Sequence, residues 1–367
     1  MKILHTADLH IGKRLEGRTR LDEQRAVLGE ISDIARREKA DAVLVAGDIF
    51  DVQSPSPEAK RAFYRFALSC AEHAHFIAIA GNHDSPDDFS APKDIAEAAD
   101  IKLFGEGDFV SYEINGEMLN IAAVPYPDDA RIKSEIKEGE GFSARIENYL
   151  KNYTKHFRSG ENNVLLSHLY VTGASEVGDE NALGPARMLP KAILPDGCYV
   201  ALGHIHKPMA VSKAKNAYYA GSPLNYHFDS AADNEKSVIV CEMSGGGVLS
   251  VKRVPLTGGK PLVCVSASDF DGALKALDDN ADALVKIRYE SPMPLAAGET
   301  KKLRARPNFV KLEVTINRTA SGEKHSLKAK SDDRLFRLYY EQMTGEKPAP
   351  EVMDMFAEIM SHAGGRK

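Results

Sequence analysis

This chain has few cysteines, no long apolar run and no surplus of positive charge, and each shortage removes a class of protein. The four cysteines, Cys70, Cys198, Cys241 and Cys264, are widely scattered and form no CxxC pair. That leaves neither a disulfide framework nor a thiolate zinc site, and the four are expected to be buried small hydrophobes. No apolar run is long enough to cross a bilayer, and "MKILHTADLH" lacks the apolar core and small-residue cleavage site of a secretory leader. A cytoplasmic protein with no membrane partner is expected. The formal net charge of −6 excludes a chain that coats nucleic acid through bulk positive potential. Local basic runs remain, one gathering Lys13, Arg14, Arg18, Arg20 and Arg25, the other "KKLRARPNFVK" at 301 to 311.

What is present is ordinary globular material, 367 residues with 43% hydrophobic and 27% charged, enough for about two domains. In the first hundred residues apolar strands alternate with helical patterns: "KILHTADLH", a helix through "LDEQRAVLGEISDIARRE", "AVLVAGD", a helix through "SPEAKRAFYRFALSCAEH", then "FIAIAGNHD". Such alternation predicts βαβ units and a largely parallel sheet. From about residue 101 short strand runs follow with few helices between, which predicts a second, more antiparallel sheet packed on the first with helices outside. After "VPLTGGKPL" a β-α-β-β pattern of about 65 residues predicts a small separate domain. The tail predicts two short helices around a Pro-containing loop, opened by Asp residues suited to N-capping.

Five apolar strands end in Asp, His or Asn: Asp8 and His10 in "DLH", Asp48 in "GDIFD", Asn82, His83 and Asp84 in "GNHD", His168 in "SH", and His204 with His206 in "GHIH". In a parallel sheet the carboxyl ends of the strands share one rim, so the five ends can converge. Asp8, His10, Asp48, Asn82, His168, His204 and His206 supply two carboxylates, four imidazoles and one amide. That is too many donors for one ion and suits two divalent ions such as manganese, with Asp48 as the bridge. Two such ions form a clamp for phosphoryl chemistry. His83, beside Asn82, is the candidate proton donor to a leaving alkoxide, and Asp84 the candidate acceptor from its ring. Glycines 47, 81 and 203 let the backbone pass close to the site.

These fragments resemble the signature of the calcineurin-like metallophosphoesterases. "HTADLHIGK", "YVALGHIHKP", "YAGSPLNYHF" followed by "EKSV", and "LFRLYYEQMTGEKPAPEVMDMFAEIM" resemble, within that superfamily, the SbcCD-type double-strand-break-repair nuclease subunits over essentially the whole chain. The resemblance implies a four-layer α/β/β/α sandwich at 1–258, a DNA-contacting capping domain at 259–330 and C-terminal helices at 331–367. It implies one metal held by Asp8, His10, Asp48 and His206, and another by Asp48, Asn82, His168 and His204. Two Mn2+ are implied, with Mg2+ as a substitute. It also implies a homodimer through nuclease-domain helices, and a heterotetramer with two copies of the coiled-coil ATPase SbcC. In the tail, Leu335, Phe336, Leu338, Tyr339 and Met343, then Val352, Phe356, Ile359 and Met360, give apolar faces at helical spacing for that partner.

The implied activity is manganese-dependent DNA cleavage near the nucleoid, 3′–5′ exonucleolytic on double strands and endonucleolytic on single strands and hairpins. Lys13, Arg14, Arg18 and Arg20 follow the first metal motif and are candidates to track phosphates. The alternative is a phosphoesterase for a phosphomonoester or a small phosphodiester. The superfamily's protein phosphatases follow their GD motif with an Arg that grips the dianion, whereas Asp51 here is followed by Val52. Archaeal and eukaryotic relatives carry His where Asp51 stands.

Overall fold

Two layers of sheet lie back to back, each made of six strands. A computed structural model describes residues 1–128, 141–172, 188–228, 235–291, 293–316, 336–337, 340 and 347–363. The strands of the first sheet are β1 (Lys2–Thr6), β4 (Ala42–Ala46), β5 (His75–Ile79), β6 (Ile101–Phe104), β13 (Ser237–Ser244) and β14 (Gly247–Pro255). They lie in the order β14-β13-β1-β4-β5-β6. β1, β4, β5 and β6 pair in parallel. β4 is buried at every residue, as a strand covered on both faces requires. Helices α1 (Leu21–Glu38) and α2 (Pro57–Ala71) cover its outer face. α1 turns Val27, Leu28, Ile31, Ile34 and Ala35 inward at helical spacing. α2 starts at Ser56, whose hydroxyl accepts the Ala59 N–H, with Pro57 in the first turn.

The second sheet contains β7 (Asp108–Ile114), β8 (Glu117–Val124), β9 (Asn162–His168), β10 (Tyr199–Gly203), β11 (Met209–Ser212) and β12 (Ala217–Tyr219). Its order is β11-β12-β10-β9-β8-β7. Leu44, Ile77, Ile79, Leu119, Ile121, Val164 and Leu166 interdigitate between the sheets with no exposed surface. Each such side chain contributes about 1.5–3 kcal/mol. The expected antiparallel character of this sheet is corrected: β8, β9, β10 and β12 pair in parallel, and only the edge strands β7 and β11 run against them. One reason is α5 (Phe142–Thr154), a helix the sequence pattern did not predict, which buries Ile146, Tyr149 and Leu150 and lies within the crossover from β8 to β9. The hairpin β13–β14 also leaves the second sheet and joins the first beside β1.

Short elements link these layers: the hairpin β2 (Arg14–Leu15) and β3 (Arg18–Thr19), and helices α3 (Asp87–Ser90) and α4 (Lys93–Ala98). Beyond them lie β15 (Leu262–Ala267), α6 (Phe270–Asp279), β16 (Leu284–Ser291), α7 (Ala297–Arg304) and β17 (Phe309–Ile316). The three strands form one all-parallel sheet. Parallel pairing of β16 with β17 demands a crossover, and α7 supplies it where the sequence pattern has strand follow strand. Lys311 pairs with Glu16 of the β2–β3 hairpin at 2.8 Å, and Arg18 donates to the Pro307 carbonyl.

The chain divides into a unit Met1–Ile316 and a unit Asn317–Lys367. In the second, α8 (Pro350–Ala363) is described, and the Phe336 and Phe356 rings stack at 4.1 Å. Leu335, Leu338, Tyr339 and Met343 lie outside the described residues, as do the side chains of Ile359 and Met360. Cys70, Cys198 and Cys241 are buried, but Cys264 is exposed on β15, against expectation. Among the described residues no helix is long and apolar enough to cross a membrane.

Candidate metal centre

The rim where β1, β4, β5, β9 and β10 end carries the seven nominated donors. Backbone pairing brings the loops together: Asp8 N–H donates to Gly47 O and His10 N–H to Asp48 O, each at 3.0 Å. Four of the residues adopt left-handed backbone, Asp8 at φ 53°, His10 at 42°, Asp48 at 50° and His204 at 107°. Such conformations cost about 1–3 kcal/mol each in non-glycine residues and concentrate at functional sites. Gly81 and Gly203 make the crowding tolerable: a Cβ on Gly81 would strike the Asp48 carboxylate, and one on Gly203 the Ala46 carbonyl.

The side chains form two groups that share Asp48. In the first, His10 Nε2 and His206 Nε2 face each other at 3.0 Å, with an Asp8 oxygen within 4.8 Å of both. In the second, Asn82 Oδ1 lies 3.0 Å from His168 Nε2 and 3.1 Å from His204 Nδ1. Asp48 Oδ2 sits between them, 3.5 Å from His10 Nε2 and 3.4 Å from His168 Nε2. His168 Nδ1 donates to the Ala46 carbonyl at 2.7 Å, so Nε2 is the atom turned toward Asn82 and Asp48. His204 Nε2 is buried without a hydrogen-bond partner.

Electrostatics favour a cation here. Burial pulls the His168 pKa down, but the Asp48 and Asp8 carboxylates and the Ala46 carbonyl outweigh it and hold it up at about 9. The field that keeps a proton on Nε2 is the field that attracts a divalent ion, and the neutral ring is the form that ligates. Asp48 is opposed by its own burial, yet the imidazoles of His168, His10 and His83 hold it well below the carboxylate range. Burial drives His204 down to about 3 and, with His10 and Lys236, drives His206 well below its ordinary value. Both rings are therefore neutral at physiological pH, the form able to ligate a metal. Two carboxylates, four imidazoles and an amide fit a pair of octahedral or five-coordinate hard-to-borderline ions.

Two expected roles are corrected. Asp84 does not meet the His83 ring: its buried carboxylate accepts the backbone N–H groups of Ile49, Phe50 and Gly81 at 3.0, 2.9 and 2.8 Å. It clamps the β4 and β5 loops together. Burial and the nearby Asp48 push its pKa up to about 6, against the pull of those three donors. The His83 peptide N–H is taken by Asp48 Oδ1 at 2.9 Å, and its ring turns so that Nδ1 lies 2.9 Å from the Asp51 carbonyl. Arg20 is likewise no solvent-facing cation. Its side chain is buried, gripping Glu23 at 2.7 Å and the Asn225 carbonyl.

Lys13 Nζ lies 3.3 Å from Asp51 Oδ1 and over the Tyr226 ring, while Arg14 folds back onto Gly17 O at 2.8 Å. They border a groove of about 730 Å3 whose walls also include Asp51, Tyr226, Lys286 and Lys311. Sequence reasoning missed the layer behind the donors. Gln24 donates to His10 O at 2.8 Å and accepts Gly12 N–H, and buried Lys236 donates to His206 O and Ser222 Oγ, both at 2.9 Å. Lys236 stands in the "EKSV" fragment, noticed only for its resemblance, and Gln24 carries no signal at all within an ordinary helix.

Residues 1–208 match the family model of calcineurin-like phosphoesterases. The SbcD subunit of nuclease SbcCD from Bacillus subtilis (strain 168) is 34% identical over 384 residues, covering 98% of each chain. Its namesake in Escherichia coli (strain K12) is 24% identical over 96% of this chain and 94% of its own. The crystal structure of TT1561 of Thermus thermophilus superposes with a TM-score of 0.42 at 15% identity, covering 70% of this chain and 99% of that one.

Proposed function

This chain belongs to the calcineurin-like phosphoesterase family, and from that premise we propose that it is the DNA-cleaving subunit of an SbcCD-type nuclease, hydrolysing phosphodiester bonds at its rim of strand ends. The observation that carries the reading is the 34% identity over 98% of both chains, met by two donor groups that share Asp48. Asp8, His10, Asp48 and His206 would hold one ion and Asp48, Asn82, His168 and His204 the other, with manganese as the expected metal. Two such ions, when bound, polarise phosphate oxygens and supply hydroxide near neutral pH.

The remaining work falls to the chain. His83 Nδ1–H is directed at the Asp51 carbonyl, which leaves Nε2 to give the leaving alkoxide its proton. Asp84 serves by fixing the backbone on which Asn82 and His83 stand. Lys13 and Arg14 line the groove at a place where phosphates pass. Cleavage is 3′–5′ exonucleolytic on duplex ends and endonucleolytic on single strands and hairpins. The protein works in the cytoplasm on chromosomal DNA, in a heterotetramer with two SbcC subunits.

Two apolar side chains support the homodimer: Leu68 on α2 is 50% exposed and Ile95 on α4 81% exposed. Residues 259–330 act as the DNA-facing cap, and 331–367 bind the SbcC coiled coil, with the stacked Phe336 and Phe356 as an aromatic anchor. Truncation before Asp332 is expected to abolish SbcC pull-down, and undiminished capture refutes the assignment of the tail. The central test is manganese-dependent cleavage of labelled DNA and of p-nitrophenyl phosphate by wild type, His83→Gln and His204→Ala. Both variants are expected to lose DNA cleavage. Survival of DNA cleavage in His204→Ala sinks the two-ion site, and turnover confined to the small ester favours a phosphomonoesterase.

A further inference from the structure

The basic residues nearest the metal rim are largely engaged within the protein. Lys13 faces Asp51, Arg18 and Arg20 are bound to backbone carbonyls, Lys286 pairs with Glu313 at 2.9 Å and Lys311 with Glu16. A different set of cations stands open. Between α1 and α2 lies a pocket of about 200 Å3 rimmed by Arg25, Arg61 and Arg65, over a floor that includes Leu28, Ala62 and Phe66. Arg25 has an exposed contact with Asp22 at 3.0 Å. Arg61 and Arg65 have no ion pair or hydrogen bond among the described residues. They stand four apart on one helix, where like charges repel by a few tenths of a kcal/mol. Helix packing does not need them, because apolar contacts and the Ser32–Ser69 hydroxyl bond at 2.8 Å already join α1 to α2. Three guanidinium groups around one pocket, with only Arg25 paired to an acid among the described residues, suit a polyoxygen anion.

The pocket is separate from the groove beside the metal rim but lies within about two turns of it along α2. Ser56 and Ala59, at the start of α2, line that groove. Arg61 and Arg65 follow Ala59 by two and six residues, roughly 3 and 9 Å along the helix axis. We propose that Arg25, Arg61 and Arg65 form a phosphate-binding exosite that holds the backbone of duplex DNA outside the catalytic groove, so that the substrate track runs out over the α1–α2 face. The inference rests on the nuclease reading above and adds to it where the duplex is gripped.

The test uses the full chain in EDTA, which prevents cleavage, with fluorescence anisotropy of a labelled duplex over a salt series. Arg61→Gln/Arg65→Gln is expected to bind roughly tenfold more weakly at low salt. Its log–log salt slope is expected to be shallower by about 1.8, two phosphate contacts' worth. Arg61→Lys/Arg65→Lys, which keeps the charge, retains the slope and guards against a folding artefact. Manganese-dependent turnover of p-nitrophenyl phosphate stays at the wild-type level in both, since neither residue touches the donor cluster. Unchanged affinity and slope in the Gln variant overturn the exosite. Dissociation of a dimer in light scattering with an unchanged slope also overturns it, assigning the pocket to contact between copies. A wild type that neither binds nor cuts DNA refutes the nuclease reading itself, a result distinct from a normal wild type beside an unaltered variant.

Discussion

Replacing Arg20 by Ala separates two accounts of the loop that follows the first metal motif. If Arg20 tracks phosphate, its loss flattens the salt dependence of DNA binding by about 0.9 and leaves stability untouched. The structure predicts the reverse. The guanidinium has no exposed surface, holds both oxygens of Glu23 and caps the Asn225 carbonyl. Breaking a buried pair by removing one partner costs about 3–5 kcal/mol. Glu23 is only half-buried and keeps a backbone donor from Lys260 at 3.0 Å, so solvent recovers part of that and about 2–4 kcal/mol is expected. Urea denaturation at pH 7 reads the loss as a lower midpoint at unchanged slope.

The pH dependence adds a second check. Burial raises the Glu23 pKa, but Arg20 and the Lys260 N–H outweigh it and hold it below its ordinary 4.5. A carboxylate with a depressed folded pKa contributes stability above 4.5, and that contribution is lost as pH falls through the folded value. The gap between wild type and Arg20→Ala therefore narrows below about pH 4.5. A stability loss under about 0.5 kcal/mol, together with a flattened salt slope, refutes the buried role.

Three further outcomes are expected. Gly203→Ala drives a Cβ into the Ala46 carbonyl and against His168, so the variant melts lower and binds Mn2+ more weakly by calorimetry, and wild-type behaviour in both contradicts the packing described. Asp51→Ala leaves the backbone carbonyl that receives His83 but removes the carboxylate 3.5 Å from His10 Nδ1. Its Mn2+ affinity should fall about 10–100-fold, and an unchanged titration argues against that carboxylate as the support of His10. His5, fully buried against Tyr199 and the Leu202 carbonyl, is held at about 3 by desolvation, against an ordinary 6.5. The unfolded chain takes up this proton below pH 6.5 and the folded chain does not, so stability falls by up to about 1.4 kcal/mol per pH unit from 6.5 toward 3. His5→Asn should show a shallower acid decline, and identical declines remove His5 as a cause.

The donors were legible because each stands at the end of an apolar strand, and strand ends of a parallel sheet are brought together by topology alone. Their backbone strain was not legible, since nothing in "DLH" announces φ 53° at Asp8. Asp84 was misassigned for a related reason. Adjacency to His83 suggested a side-chain pair, whereas the turn spends the carboxylate on three peptide N–H groups from two loops, one of them 35 residues away. Arg20 shows the same limit: a basic residue in a basic run looks solvated until Asn225, 205 residues later, closes over it. α7 was hidden because "AGETKKLR" buries only Leu303, too little periodicity to mark a helix.

The β2–β3 hairpin joins what look like separate parts of the molecule. Its tip is tied to the three-stranded sheet by Glu16 with Lys311 and by Arg18 with Pro307. Its root is His10, whose peptide N–H is bonded to Asp48 and which lies only six residues before Glu16. The hairpin therefore spans from the three-stranded sheet to the rim of strand ends within a single short run of residues. A shift of that small sheet is thus expected to reach His10 along one stretch of backbone.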